Sequence, residues 1–222
     1  MIITIDGPAG TGKTTVAKLL SKQLHIIYFD TGALYRAFTW FYFQKLNNKD
    51  INEQALSVAL DQFDLKIECS QGVDAFKYVV LGQDVTMLIR SIEVTEQVSD
   101  IAAVRSVRSA LIPFQRSFAE NNAIVVEGRD TGSVIFPKAE YKFFLTASLK
   151  VRAGRRFAEY QGKNIECTLE QIESSIAKRD HIDSNREVAP LICPDSAYVV
   201  KTDDKVAEKV AEEMFNIVKG KI

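Results

Sequence analysis

The 222-residue chain is predicted to fold as a three-layer α/β domain, with a mainly parallel sheet covered by helices on both faces. Three observations lead there. A β-branched run at 2–6 breaks at Gly7-Pro8 and is followed by a helical pattern, the first half of a βαβ unit. Short apolar runs at 26–29, 123–126, 141–145 and 198–200 alternate with amphipathic stretches, as buried parallel strands and their crossover helices do. Apolar residues make up 46% of the chain, enough to cover such a sheet.

Each element has its own signal. After Gly12, the residues Val16, Leu19, Leu20 and Leu24 recur at helical spacing, and a second helix is expected over 33–46. The middle changes character. Runs at 63–69 and 76–81 are strand-like and separated by Ser70-Gln71-Gly72, and Gly82-Gln83-Asp84 turns into Val85-Thr86-Met87. This reads as a small antiparallel module, roughly 62–90, set between helices of a single 1–222 domain. Alternation then resumes with helices over 94–119, broken near Val104 or Pro113, and over 148–161 and 168–181. Val206, Val210, Met214 and Ile217 mark a last amphipathic helix.

Charge narrows the function. Lys and Arg number 28 against 29 Asp and Glu, a net charge of -1, which disfavours a nucleic-acid coat or a polybasic membrane binder. No window approaches the ~18 uninterrupted apolar residues of a bilayer span, and the opening residues make no signal peptide. Cys69, Cys167 and Cys193 form no C-x-x-C pair, and His25 and His181 stand alone. The expectation is a cytoplasmic monomer that works on small molecules, with neither nucleic acid nor membrane as partner.

The chemistry begins at Gly7-Pro8-Ala9-Gly10-Thr11-Gly12-Lys13-Thr14, followed by Thr15. It matches G-x-x-x-x-G-K-[ST] between a predicted strand and a predicted helix, the context that the phosphate-binding P-loop requires. Backbone N–H groups of such a loop curl around a polyphosphate, and the helix offers its positive N-terminus. Lys13 should reach the β- and γ-phosphates, and the Thr14 hydroxyl should hold Mg²⁺. ATP and Mg²⁺ are the expected cofactors of a P-loop three-layer fold.

The loop alone does not name the reaction. A GTPase needs D-x-x-G and N-K-x-D; no Asp here has Gly three residues on, and Asn48-Lys49-Asp50-Ile51 breaks the second motif. A transporter motor's Ser-Gly-Gly signature is absent. Arginines instead gather in telling segments. Arg36 follows the second strand and Arg129 another, where ligands of open α/β sheets collect. Arg152, Arg155 and Arg156 share a helical face and repel one another unless an anion sits among them, and Arg179 and Arg186 flank Asp183. No H-R-D loop supplies a base. A phosphate monoester, with a second pKa of ~6, needs none, since its oxygen is already ionised. Guanidinium forks that offset two opposed anions point to a kinase with a monophosphate acceptor.

With these segments in order, the chain resembles bacterial-type cytidylate kinases, a branch of the nucleoside monophosphate kinases. The resemblance spans nearly the whole chain and is carried by GPAGTGKTT at 7–15, DTGALYR at 30–36, GRDTGSVIFP at 128–137 and RDHIDSNREVAPL at 179–191. It implies transfer of the γ-phosphoryl group of ATP to CMP or dCMP. The inserted module would belong to the monophosphate-binding part, and 148–186 would form a helical lid. By the resemblance, Thr31, Arg36 and Arg129 meet the acceptor phosphate, and Tyr35, Arg179 and Asp183 lie at the sugar. Ser99, Arg108, Asp130 and Arg186 form or brace the cytosine pocket. Lys13, Arg129 and the lid arginines 152, 155 and 156 would stabilise the transferring charge. A carboxylate at 130 suits the N4 amino group of cytosine and mismatches uracil, though a plain ion pair with a neighbouring arginine explains it equally. Thr31 and Ser133 exchange the family's usual hydroxyl residues, and Ile182 replaces a basic or polar one. Glu127 ends an apolar strand as a metal-side acid would and competes with Asp130 for that duty. A kinase for UMP or another small acceptor, and a nucleotide-dependent regulator without transferase activity, remain as alternatives.

Overall fold

The computed structural model describes residues 1–48, 50–69, 76–120 and 122–220. The chain opens with β1 (Ile2–Asp6), α1 (Lys13–Leu24), β2 (Ile27–Asp30) and α2 (Thr31–Trp40), which continues through a π-helical turn over Phe41–Lys45. Then come α3 (Glu53–Gln62) and the strands β3 (Leu65–Cys69), β4 (Phe76–Val80) and β5 (Gln83–Asp84). The remainder is α4 (Ile92–Ala103), α5 (Arg105–Ala119), β6 (Ile124–Glu127), β7 (Tyr141–Thr146), α6 (Leu149–Gly162), α7 (Leu169–Asn185), β8 (Tyr198–Lys201) and α8 (Ala207–Val218).

Five strands form one parallel sheet in the order β2-β6-β1-β7-β8. Its registers decide where the chemistry sits. Ile5 pairs with Glu127 and Asp30 with Glu127, so Asp6, Asp30 and Glu127 arrive together at the carboxyl ends of three neighbouring strands. Each of those strands is otherwise apolar or hydroxylic and buried, and its single acid comes last. Ile3, Ile5, Phe143 and Leu145 pack against Val16, Leu20 and Met214 on one face. Phe29, Leu34, Val126 and Ile135 fill the other. Each such side chain contributes roughly 1.5–3 kcal/mol when fully buried.

The small sheet, β3-β4-β5, is antiparallel as expected, but its third strand lies earlier in the chain than expected. Leu81 (φ 48) and Gly82 (φ 79) make a two-residue turn of the kind that favours tight hairpins, so pairing begins at Gln83 and ends at Asp84. Val85 still donates its N–H to the Tyr78 carbonyl at 2.8 Å and enters the core fully buried. The expected turn at Ser70-Gln71-Gly72 lies outside the described residues. The sheet has no core of its own: Tyr78, Val80 and Val85 join Phe38, Trp40, Phe41, Leu56, Val98 and Val107 in one cluster.

Of the two break points expected within 94–119, the chain uses Val104, whose extended backbone (ψ 127) separates α4 from α5. Pro113 lies inside α5 without interrupting it. The helix α3 is additional to the expectation. It carries its own signal, an Asn52 side chain accepting the N–H of Ala55 at 2.8 Å and buried Leu56 and Ala59 one turn apart. Among the described residues no helix is long and apolar enough to cross a membrane.

Candidate active site

The glycine loop is shaped by what surrounds it. A Cβ on Gly7 would lie 2.2 Å from the Leu145 carbonyl oxygen, so only glycine lets β1 leave the sheet beside β7. Gly12 takes a left-handed conformation (φ 90) and caps α1 without a side chain. The first turn of α1 holds no acid, which leaves its N–H groups and positive end open to an anion. Two loop residues are occupied differently from the rest. Pro8 has no N–H, and its carbonyl accepts from Lys13 Nζ at 2.7 Å and from the Thr11 hydroxyl at 3.1 Å. The Ala9 N–H donates to Asp180 at 3.0 Å. Burial, followed by the charge of Arg129, pushes the Lys13 ammonium well below its ordinary pKa.

Lys13, Thr14, Thr15, Arg36, Arg90, Arg129, Arg155, Arg156 and Arg179 line one crevice of about 340 Å³ with Gly10 and Gly12. Burial and neighbouring guanidiniums pull Arg36 down to about 10. For Arg179, burial, Arg129 and Arg36 bring it down to about 9. Its Nε is buried without a partner. Both guanidiniums are held, buried, close to others of like charge. Glu127, at the crevice floor, accepts from the Tyr28 hydroxyl at 2.5 Å and lines the same crevice as Thr14. Burial and then Asp30 raise its pKa.

A second, tighter pocket of about 60 Å³ opens from the crevice and shares Asp30, Glu127, Arg129 and Arg179 with it. Its walls are Thr31, Tyr35, Ser99, Arg108, Asp130, Asp183 and Arg186. Asp130 meets Arg108 through one oxygen and Arg186 through the other, at 3.1 Å for the latter. Arg108 also lies 5.3 Å above the Tyr35 ring. Asp183 accepts from Arg129 at 2.8 Å; although burial opposes it, Arg129, Arg179 and Arg186 hold its carboxyl below the ordinary range. The Ser99 hydroxyl is buried with no partner, a free polar group in the wall. Thr31 donates to the Glu127 carbonyl at 2.8 Å across Gly128, where a Cβ would sit 2.6 Å from the Thr31 hydroxyl.

The structure thus brings together nearly every residue the sequence singled out, with one division among the arginines of α6. Arg156 faces the crevice, resting on Tyr160. Arg155 lines it while donating to the Thr202 hydroxyl at 3.1 Å. Arg152 turns away, buried, to Asp180 and the Ala9 carbonyl. Four contributors escaped the sequence reading. Arg90 pairs with Asp30 at 3.4 Å. Asp6 accepts from Thr131 N, the Thr131 hydroxyl and Gly132 N at 2.7–2.9 Å, locking the 128–132 turn to β1. Tyr28 and Asp180 are the others. Acids ending apolar strands were a readable cue for Asp6; Asp180 stood inside the 179–191 motif without a role of its own, and Arg90 had no cue. A further cavity of about 780 Å³ separates α4 from α6 and α7 and reaches the site at Ser99, Arg156 and Arg179.

Comparison with known proteins agrees with this geometry. Residues 3–220 match the family model described as cytidylate kinase. A cytidylate kinase of Bacillus cereus (strain ATCC 10987 / NRS 248) is 40% identical over 218 residues, covering 98% of this chain and 96% of the relative. A bifunctional pantoate ligase/cytidylate kinase of Prochlorococcus marinus is 41% identical over 222 residues, all of this chain and 42% of that one. An uncharacterized protein of Eubacterium ventriosum has a similar fold (TM-score 0.56, 13% identity, 99% of this chain and 98% of that one).

Proposed function

The chain belongs to the cytidylate kinase family, and from that premise we propose how its residues divide the phosphorylation of CMP among them. The reading assigns the crevice to ATP and the tighter pocket to CMP, with dCMP as a second acceptor. One observation carries it: Arg129 and Arg179 line both spaces, so the acceptor phosphate and the γ-phosphate meet at shared guanidiniums.

In this scheme the loop amides of residues 10–15 and the N-terminus of α1 hold the polyphosphate. Lys13 leaves the Pro8 carbonyl for the β- and γ-phosphates. A CMP phosphate oxygen attacks the γ-phosphorus in line, the bond to the bridging oxygen breaks, and ADP departs. Arg129, Arg155, Arg156 and Arg179 offset the charge spreading over the transferring group. Arg36 and Thr31 complete the acceptor phosphate site. Tyr35, Arg179 and Asp183 border the sugar. For the base, Arg108 donates to N3 or O2 of cytosine. The free Ser99 hydroxyl and the remaining lone pairs of Asp130 accept from the N4 amino group, while Arg186 braces Asp130.

Mg²⁺ fits the oxygen donors present. Mg²⁺ keeps most of its waters and takes phosphate oxygens, so a hydroxyl and one nearby carboxylate suffice from the protein. Thr14 supplies the first and Glu127, which lines the same crevice, the second. When bound there, the ion neutralises charge between the β- and γ-phosphates. Asp130, taken up by two arginines, faces the other pocket. The 62–90 module belongs to the acceptor side, its Arg90 pairing with Asp30 where the crevice and the tighter pocket adjoin, and 148–186 is the lid. The setting implied is a cytoplasmic monomer.

The test is ADP formation by the purified protein with CMP, dCMP, UMP and AMP as acceptors. Turnover should be greatest with CMP and dCMP. Preference for another acceptor would refute the pocket assignment, and ATP binding without acceptor-stimulated turnover would refute the mechanism.

A further inference from the structure

We propose that Asp180 on α7 is a positioning residue of the triphosphate site, holding the outer arm of the glycine loop so that the amides beyond it face the crevice. The proposal rests on the reading of the crevice as the ATP site.

A single residue of the loop, Ala9, has both backbone polar groups taken by side chains from the lid helices. Its N–H donates to Asp180 Oδ1 at 3.0 Å, and its carbonyl accepts from Arg152 Nη1 at 2.9 Å. The same Nη1 meets the other oxygen of Asp180, which closes a ring of carboxylate, guanidinium and peptide. Arg152 is fixed in turn by its Nε, which donates to the Ala147 carbonyl at 3.0 Å. The Ala9 methyl enters an apolar cluster with Ala153, Ile172 and Ile176 beside the ring. At the next residue, a Cβ on Gly10 would stand 3.1 Å from the Arg152 Cβ, so the loop rides directly on α6.

This contact has a functional consequence because glycine-rich backbone has little conformational preference of its own. The three glycines of the loop leave its shape to be imposed from outside. Gly7 is fixed by the close approach of Leu145, and the Thr11 carbonyl accepts from Thr202 at 3.2 Å. Ala9, between them, has only the Asp180–Arg152 pair. Donors aimed in advance at a charged group are worth more than donors that must first reorganise. Along α7, Arg179 and Asp183 face the substrates while Asp180, a third of a turn from Arg179, faces the loop. Loss of Asp180 should therefore weaken the triphosphate and spare the monophosphate, whose pocket it does not line.

The experiment is calorimetric titration of ATP, ADP and CMP into wild type, Asp180→Ala and Asp180→Asn, with steady-state kinetics on each. Asp180→Ala is expected to raise Kd for ATP and ADP and KM for ATP about tenfold, the scale of a lost charged hydrogen bond. Kd for CMP should stay within about twofold, and kcat at saturating ATP should fall less than KM rises. Asp180→Asn keeps an oxygen for the Ala9 N–H and should recover part of the affinity, and it reads the effect if the alanine variant fails to fold. Unchanged ATP affinity with only a lower melting temperature, or equal weakening of ATP and CMP, would overturn the proposal. Wild-type protein that binds ATP but not CMP would instead defeat the acceptor assignment and leave the Asp180 comparison standing.

Discussion

Replacing Arg179 by Met should make the substrate-free protein more stable while destroying its response to CMP. Arg179 is largely buried, its Nε has no partner, and it faces Arg129 and Arg36. Those causes bring its pKa down to about 9. Measured against an ordinary arginine, and at ~1.4 kcal/mol per pH unit, the charged form carries a gross penalty on the order of several kcal/mol. Solvent screening of this partly accessible side chain and the lost attraction to Asp183 reduce the net figure to ~1–2 kcal/mol. A base whose folded pKa lies below its unfolded value bears the full penalty below the folded pKa, and relief comes only as pH rises beyond it. At neutral pH the whole penalty is present. Methionine matches the length without the charge, so the melting temperature should rise by ~2–8 °C for a chain of this size. Saturating CMP should raise the melting temperature of the wild type and leave the variant unmoved, with turnover reduced at least ~100-fold, the scale of losing one transition-state donor. Differential scanning calorimetry with and without CMP decides it. A variant that melts lower than the wild type, or that keeps its CMP shift, would refute the view that Arg179 is held under electrostatic strain for the substrate's sake.

Three other substitutions test neighbouring parts of the site. Gly128→Ala places a Cβ 2.5 Å from Thr131 Cγ2 and 2.6 Å from the Thr31 hydroxyl, so thermal melts should show a loss of ~1–3 kcal/mol and kinetics a higher KM for CMP. Ser99→Ala removes a hydroxyl that has no partner in the free protein, so its melting temperature should hold. The preference for CMP over UMP should nonetheless narrow ~3–10-fold, and an unchanged ratio in competition assays would remove Ser99 from base reading. Asp183 has a depressed folded pKa, so its stabilising effect is complete above the ordinary carboxylate range and lost as pH falls through the folded value. The stability gap between wild type and Asp183→Asn should therefore be widest near neutrality and shrink in acid, as read from urea melts at several pH values.

What could be read in the sequence was what local chemistry enforces. The glycine loop, the alternation of strands and helices, and the cations at strand ends follow from short stretches whose neighbours are near in the chain. The errors also have local causes. The third strand of the small sheet was displaced because Leu81 adopts a left-handed conformation that a leucine does not advertise. The helix α7 runs to Asn185 rather than 181, through His181, Asp183 and Asn185, residues of modest helix propensity. Asp183 is held there by Arg129, 54 residues away. The Asp180 contact to Ala9 spans 171 residues and that of Arg152 spans 143, distances at which no periodicity carries information. Arg152, Arg155 and Arg156 lie on α6 at the helical spacing expected, but only the last two line the crevice. That Arg152 serves the loop backbone instead of the crevice depended on where α7 packs.

The carboxylates of the site explain why a phosphate, and not water, is the fitting acceptor. Five of them line the crevice or the adjoining pocket, and each is engaged. Asp30 caps α2 at Ala33 and pairs with Arg90. Glu127 accepts from Tyr28, and Asp130 lies between Arg108 and Arg186. Asp183 meets Arg129 and Arg186, and Glu159 meets Lys163 at the rim. A water molecule attacking the γ-phosphate would need one of these groups to take its proton; four of them are paired with fixed cations, and Glu127 is held by the Tyr28 hydroxyl and is the acid assigned to the metal. A phosphate monoester brings an oxygen that is already anionic near neutral pH and is drawn in by the guanidiniums that leave water unactivated. The arrangement that binds both anions is therefore also what withholds a base from the solvent. Selectivity against hydrolysis is built into these partners of the acids before any closure of the lid.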